Sequence, residues 1–230
     1  MKNWLLSGFA LLIVCSSQAQ VSFSINAGTQ FSKWRGNGMA ILDTLVENSG
    51  DYLKQGSITG YYVGFNAGIP LNGFIEIEPA LRYSKTGTSL SKNIVFSILK
   101  NYGVDIGARV VTHRIELPVL VKGQVAKGLY VVIGPQVNYA YSNQLKLKAG
   151  VLGINVINKR FDLDNGFEEF SAAAVGGVNY RFPIGVQVQA LYEYGVTRIM
   201  NITNDNVYQN SFKLGMTIPF KYNQPEEDWD

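Results

Sequence analysis

The residues of this sequence best suited to acid–base catalysis are four glutamates on predicted strands: Glu76, Glu78, Glu116 and Glu193. Paired carboxylates can act as general acid and general base. The same face of the predicted strands also carries five cations, which are Arg82, Arg114, Lys122, Arg181 and Lys213. Because five cations nearly balance four anions in a confined space, we expect a structural ion-pair network instead of acid–base catalysis.

The sequence has few of the residues that other catalytic sites and metal sites require. The chain has one histidine and one cysteine, so His113 can assemble neither a His-paired nucleophile nor a multi-histidine metal site. The glycines at 134 and at 176–177 precede no helical pattern, so no phosphate loop is predicted. A net charge of +3 over 230 residues is too small to indicate nucleic-acid binding. We therefore expect no enzyme activity, no catalytic residue, no metal site and no cofactor.

The elements that carry these side chains alternate apolar and polar residues with a period of two, which is typical of half-buried strands. Eight such stretches are predicted, at 21–32, 57–69, 74–84, 108–122, 128–142, 169–182, 185–198 and 210–220. The best helical pattern, at 39–46, spans a turn or two inside a loop. Short turns rich in Gly, Pro and Asn alternate with long connections at 33–56, 85–107 and 143–168.

The two faces of these strands differ in charge, and alternation alone fits either a soluble β-sandwich or a membrane barrel. Predicted strands of about 11–15 residues exceed the usual soluble length. The uncharged face ends in aromatic residues, as at membrane interfaces; these are Tyr61, Tyr83, Tyr139, Tyr141 and Tyr194 at one end and Phe182 and Phe220 at the other. The predicted fold class is all-β, an eight-stranded antiparallel up-and-down transmembrane β-barrel with short periplasmic turns and long extracellular loops.

The chain is predicted to have three parts. Residues 1–19 read as a cleaved secretory signal peptide, with Lys2, a short apolar core and a small-residue cleavage site ending at Ala19. Lipid attachment at Cys15 is disfavoured because Val14 stands where a small residue is expected. Residues 20–220 form the barrel, and residues 221–230 form a short acidic periplasmic tail. The mature chain then has no cysteine and no disulfide.

A resemblance supports this interpretation. The strand from His113 to Lys122, which contains Glu-Leu-Pro-Val-Leu-Val-Lys, is followed by Gly134-Pro135, Tyr139 and a last strand that ends at Phe220. These features resemble the PorT-like family of outer-membrane β-barrel proteins. The resemblance implies an eight-stranded barrel in the outer membrane of a Gram-negative bacterium, with no catalytic residues to carry over. It also implies recognition by the barrel insertion machinery through the strand that ends at Phe220.

Three kinds of function remain open. We favour an envelope structural or interaction protein that contacts outer-membrane lipid through its wall and an envelope protein partner through its extracellular loops. Residues 145–148 and 154–157 remain β-prone, so an exposed hairpin there is expected to offer an edge to a partner strand. A small-solute pore is the alternative, and an outer-membrane enzyme is the least favoured. Eight strands leave an interior that side chains can fill.

Overall fold

The computed structural model describes residues 21–36, 53–95, 103–151, 154–162, 167–202 and 205–220. Within these ranges none of the residues forms a helix long and apolar enough to cross a membrane. The ten described strands are β1 (Ser22–Arg35), β2 (Leu53–Pro70), β3 (Ile75–Val95), β4 (Gly103–Ala126), β5 (Leu129–Val151), β6 (Ile154–Asp162), β7 (Phe170–Arg181), β8 (Gln187–Gly195), β9 (Met200–Ile202) and β10 (Asp205–Pro219).

Eight of these strands close into a barrel. Their order is β1-β2-β3-β4-β5-β7-β8-β10, and β10 pairs with β1 over the register from Ser24↔Pro219 to Arg35↔Tyr208. Every pairing in the ring is antiparallel. Each barrel strand overlaps one of the eight predicted stretches, so the predicted fold class is confirmed.

The predicted inward and outward faces are also confirmed along most of the wall. Outward side chains are apolar and exposed, as at Ile133, while inward ones are polar and buried, as at Gln136. Val111 is an exception, because it was predicted to face lipid but is only 2% exposed. It pairs with Gly87, whose φ is +145°, and the β4–β5 register shifts between His113 and Arg114. These irregularities break the alternation locally.

The predicted long loops are wrong in part, because strands continue through them. β3, β4 and β5 have 21, 24 and 23 residues, whereas β7 and β8 have 12 and 9. Beyond the closed ring, β2 to β5 continue as a sheet, and β5 pairs with β6 from Gln144↔Asp162 to Val151↔Ile154. The hairpin predicted from residues 145–148 and 154–157 is therefore confirmed. We call this β2–β6 region the sheet extension.

Three predicted features lie outside the described residues. They are the signal peptide at 1–19, the helical turn at 39–46 and the acidic tail at 221–230. The signal peptide and the tail remain predictions.

In a membrane barrel the apolar side chains face the lipid on the outer wall, so the bore is occupied mainly by polar side chains. The ring of Tyr62 lies along the inner wall over two glycines of neighbouring strands. A Cβ at Gly28 would come within 2.8 Å of the ring, and one at Gly215 within 2.0 Å of the hydroxyl. The Tyr62 hydroxyl accepts a hydrogen bond from Gln189 Nε2 at 2.9 Å. Backbone also approaches closely, because a Cβ at Gly28 would lie 2.1 Å from Leu214 O and one at Gly215 would lie 2.7 Å from Ala27 O. The tyrosine ring and the neighbouring backbone together therefore require glycine at these positions.

Candidate functional site

A cyclic group of four charged side chains crosses the middle of the bore. Arg114 Nη2 contacts Glu116 Oε1 at 2.8 Å and Glu193 Oε2 at 2.7 Å, and Lys213 Nζ contacts Glu116 Oε2 at 2.6 Å and Glu193 Oε2 at 2.8 Å. All four side chains are buried. We call this neutral group the charge ring.

The barrel topology makes the charge ring span the bore. Arg114 and Glu116 come from β4, Glu193 from β8 and Lys213 from β10, and β4 and β10 are four strands apart in a ring of eight. Residues on opposite walls of a narrow barrel reach each other across it. Ser84 adds a further contact to the charge ring by donating a hydrogen bond to Glu116 Oε1 at 2.5 Å.

A second charged group lies nearer the short-turn end, and we call it the lower cluster. Lys122 Nζ pairs with Glu78 and approaches Glu76 Oε1 at 3.7 Å, while Arg181 Nη2 contacts Glu76 Oε2 at 2.7 Å. Gln187 Oε1 accepts a hydrogen bond from Lys122 at 3.1 Å. Two cations and two carboxylates make this cluster neutral as well.

An apolar layer on one wall separates the two charged groups. Leu120, Val132, Val175 and Leu191 form a fully buried cluster inside the bore. Along β4, Leu120 lies between Glu116 of the charge ring and Lys122 of the lower cluster. On that wall, apolar side chains therefore stand between the charge ring and the lower cluster.

Beyond the charge ring, toward the sheet extension, hydroxyl and amide side chains fill the bore, and we call them the hydroxyl layer. Ser211 donates to Ser32 at 3.2 Å, Ser32 and Thr86 share a hydrogen bond, and Gln209 donates to Thr86 at 2.9 Å. Above them Trp34 packs with Val207, and its ring is tilted against that of Phe167 at a centroid distance of 5.9 Å. The bore therefore contains side chains at every level from the short turns to the rim.

Eight of the nine residues expected in an ion-pair network make ion pairs, in two groups and not in one. The ninth, Arg82, is different. Its guanidinium is fully buried, and within the described part of the chain Nε, Nη1 and Nη2 have no hydrogen-bond partner. Its nearest aromatic contact is the Tyr62 ring, whose centroid is 5.7 Å from Cζ.

The carboxylates of the charge ring have little capacity for acid–base chemistry. Both oxygens of Glu116 and both oxygens of Glu193 accept hydrogen bonds from the ring's own cations or from Ser84. A general acid or base must instead reach the proton of a bound substrate. Among the described residues, no group of three or more His, Cys, Asp or Glu side chains is placed to hold a metal ion.

His113 lies on the outer wall, away from the charged groups of the bore. Its Nδ1 is 2.7 Å from the Tyr83 hydroxyl, and its ring contacts those of Tyr83 and Tyr141. Tyr61 also packs against Tyr83, at 6.0 Å. These residues form an aromatic patch of the kind found where a barrel wall meets a membrane interface.

Several residues of the bore were missed from the sequence. Trp34 and Phe167, which cap the bore, lie at strand ends where the period-two pattern stops. Ser32, Thr86 and Gln209 are uncharged polar residues, and such residues occur on inward and outward strand faces alike. The alternation of β1, β3 and β10 carried the only available signal for their burial.

A closed eight-stranded barrel with an apolar outer wall and a polar, filled bore defines the class of outer-membrane β-barrel proteins. A family model described as outer membrane protein beta-barrel domain matches residues 16–201. The chain belongs to this family, which places it in the bacterial outer membrane. In this class the short turns face the periplasm, so the sheet extension lies on the extracellular side.

Solved structures with a similar fold are distant in sequence. Neisserial surface protein A shares 15% identity at a TM-score of 0.47, covering 87% of this chain and 99% of that one. Ail, the attachment invasion locus protein of Yersinia pestis, shares 15% identity at a TM-score of 0.39, with 86% and 98% covered. OprG of Pseudomonas aeruginosa shares 13% at 0.37, with 87% and 96% covered. No curated protein matches the chain.

Proposed function

We propose that this protein is a non-enzymatic envelope interaction protein whose barrel is an anchor and whose sheet extension binds a protein partner. The observation that carries the proposal is the free edge of β6. In the part of the chain that the structure describes, β6 pairs with β5 alone. An unpaired strand edge presents a row of backbone N–H and C=O groups that an extended segment of another protein can complete.

The filled bore supports an anchor in preference to a pore. The charge ring joins β4 to β8 and β10, and the hydroxyl layer and Trp34 lie beyond it. A solute would have to break buried ion pairs, and breaking such a pair is costly because a charge is left without its partner. The charge ring and the lower cluster then act as structural networks that fix the barrel walls.

The partner proposed here is an envelope protein that contributes an extended segment. Backbone pairing supplies affinity in such complexes, while side-chain pockets supply specificity. The edge strand contains Lys159 and Arg160 side by side, and charged residues on an edge oppose indiscriminate aggregation of identical strands. Because the two cations of this strand outnumber its one carboxylate, Asp162, an acidic segment is the better match to this edge.

Proline substitutions on β6 test the proposal, since proline removes one backbone N–H. Successive residues of a strand direct their N–H groups to opposite edges, so Lys159→Pro and Arg160→Pro form a matched pair. Both remove one positive charge, but only one of them removes a donor from the free edge. The other weakens pairing with β5.

The measurement is site-specific photo-crosslinking from position Asn158 in intact cells, combined with hydrogen exchange of the β5 amides. We expect one discrete crosslinked partner with the wild-type sequence. The proline variant that leaves β5 protection unchanged should lose that crosslink. A crosslink that survives both substitutions, or its absence in wild type, contradicts strand pairing at this edge.

We further propose that the chain belongs to the PorT-like branch of its family, on the basis of the Glu116–Lys122 segment and the Gly134-Pro135 strand. Recognition by the insertion machinery through the strand ending at Phe220, and contact of the outer wall with outer-membrane lipid, are part of the same proposal. The outward position of Phe220, which is exposed next to β1, supports it.

A further inference from the structure

The charges of the bore leave one cation without a counterion. The charge ring contains two cations and two carboxylates, and the lower cluster contains the same numbers. Arg82 is the remaining charge in the described part of the bore, and its side chain is fully buried. A bore with five cations and four carboxylates has an excess positive charge, and that charge is on Arg82.

The two carboxylates nearest to Arg82 along the sheet are already engaged. Arg82 stands directly across from Glu116 in the β3–β4 register, but Glu116 pairs with Arg114 and Lys213. Glu78, on the same strand, pairs with Lys122 and accepts a hydrogen bond from Asn66 at 3.0 Å. Neither carboxylate forms an ion pair with Arg82, whose three nitrogens have no hydrogen-bond partner among the described residues.

A second buried donor lies on the same transverse row of the barrel. The registers connect Arg82 to Gly64, Gly64 to Asn26 and Asn26 to Thr217. Thr217 is fully buried, and its hydroxyl has no partner in the described chain. Three strand spacings of about 4.8 Å separate the two Cα positions along the wall, and the Arg82 side chain lies over Gly64, the next position of this row toward Thr217.

A buried guanidinium without partners is costly, since both desolvation and lost hydrogen bonds oppose it. We propose that Arg82 and Thr217 form a binding site for a small monovalent anion, of the size of chloride, inside the bore. The anion neutralises the excess charge and accepts hydrogen bonds from the guanidinium and the hydroxyl. The face of Tyr62, 5.7 Å from the guanidinium carbon, closes one side of the site.

The site is tested with the purified full-length protein folded in detergent. Thermal unfolding is measured in sodium chloride, sodium bromide and sodium gluconate at one ionic strength, so that general screening is constant. Binding to the folded state alone lowers the apparent unfolding constant by the factor 1 + [L]/Kd. At a chloride concentration ten times Kd we expect about a tenfold reduction relative to gluconate.

Three variants assign the effect to the site. Arg82→Met should abolish the halide dependence, and Thr217→Val should weaken it while leaving the charge of the bore unchanged. Arg109→Met removes the same charge from an exposed position and should keep the full halide dependence. If Arg82→Met fails to fold, the halide dependence of Thr217→Val compared with that of Arg109→Met still shows whether the anion binds at this site.

Anomalous scattering from crystals grown in bromide locates the ion. We expect a peak within hydrogen-bond distance of the Arg82 guanidinium in wild type and none in Arg82→Met. Equal stability in the three salts, with no peak, overturns the proposal. A peak without any halide dependence in solution indicates an adventitious ion only, and also overturns it.

Discussion

Replacing Arg114 with methionine tests the stabilising role of the charge ring. The guanidinium holds two buried carboxylates, Glu116 at 2.8 Å and Glu193 at 2.7 Å. Removing one partner of a buried ion pair costs about 3–5 kcal/mol, because a charge is left uncompensated. Lys213 still contacts both carboxylates in the variant, so we expect a loss near the lower end, about 3 kcal/mol. Methionine retains part of the arginine stem and limits the cavity.

A second substitution separates charge balance from packing. In Arg114→Met/Glu193→Gln the remaining pair, Glu116 and Lys213, is again neutral. We expect the double variant to be less destabilised than the sum of the two single variants by about 1–3 kcal/mol. The free energy of unfolding is measured by urea titration in lipid vesicles, with folded and unfolded forms separated on unheated gels. A loss below about 1 kcal/mol for Arg114→Met, or strict additivity, would refute the reasoning.

Two further predictions concern the wall and the inner surface. Ile133 is 65% exposed on the outer wall, and Ile133→Arg should lower the stability of the protein by about 2–4 kcal/mol if this residue meets the bilayer centre. Val125→Arg, near the short-turn end, should cost about 0–1 kcal/mol. Equal costs in urea titrations would contradict the assigned depth. Gly215→Ala should cost about 1–3 kcal/mol because its Cβ meets the Tyr62 hydroxyl, and Gly176→Ala, whose Cβ meets only a carbonyl oxygen at 3.8 Å, should cost less in the same assay.

The eight barrel strands and their faces could be predicted because burial in a barrel follows the sequence with a period of two. Val111 could not, since its burial depends on the conformation of Gly87 on the neighbouring strand and on a register shift. The full length of β3 to β5 could not be predicted either. Their outer parts extend beyond the bilayer, where a strand has no need of an uncharged apolar face and the alternating pattern is therefore weaker.

The composition of the bore could be predicted, but its ion pairs could not. Register places Arg82 opposite Glu116, and a prediction from neighbouring strands would pair them. In the structure Glu116 pairs with Lys213 from the far wall. Contacts across a bore depend on strand tilt and stagger, which set the heights of opposite walls, and no local pattern in the sequence reports them.

The central claim is that the bore is closed and that the protein acts through its extracellular sheet. Single-channel recording in planar bilayers tests it most directly, with the wild type compared with Arg114→Met/Glu193→Gln. We predict no steady conductance from wild type, because the charge ring, the hydroxyl layer and Trp34 fill the bore. Well-resolved wild-type openings whose ion selectivity changes in the double variant would contradict the claim and identify the protein as a pore.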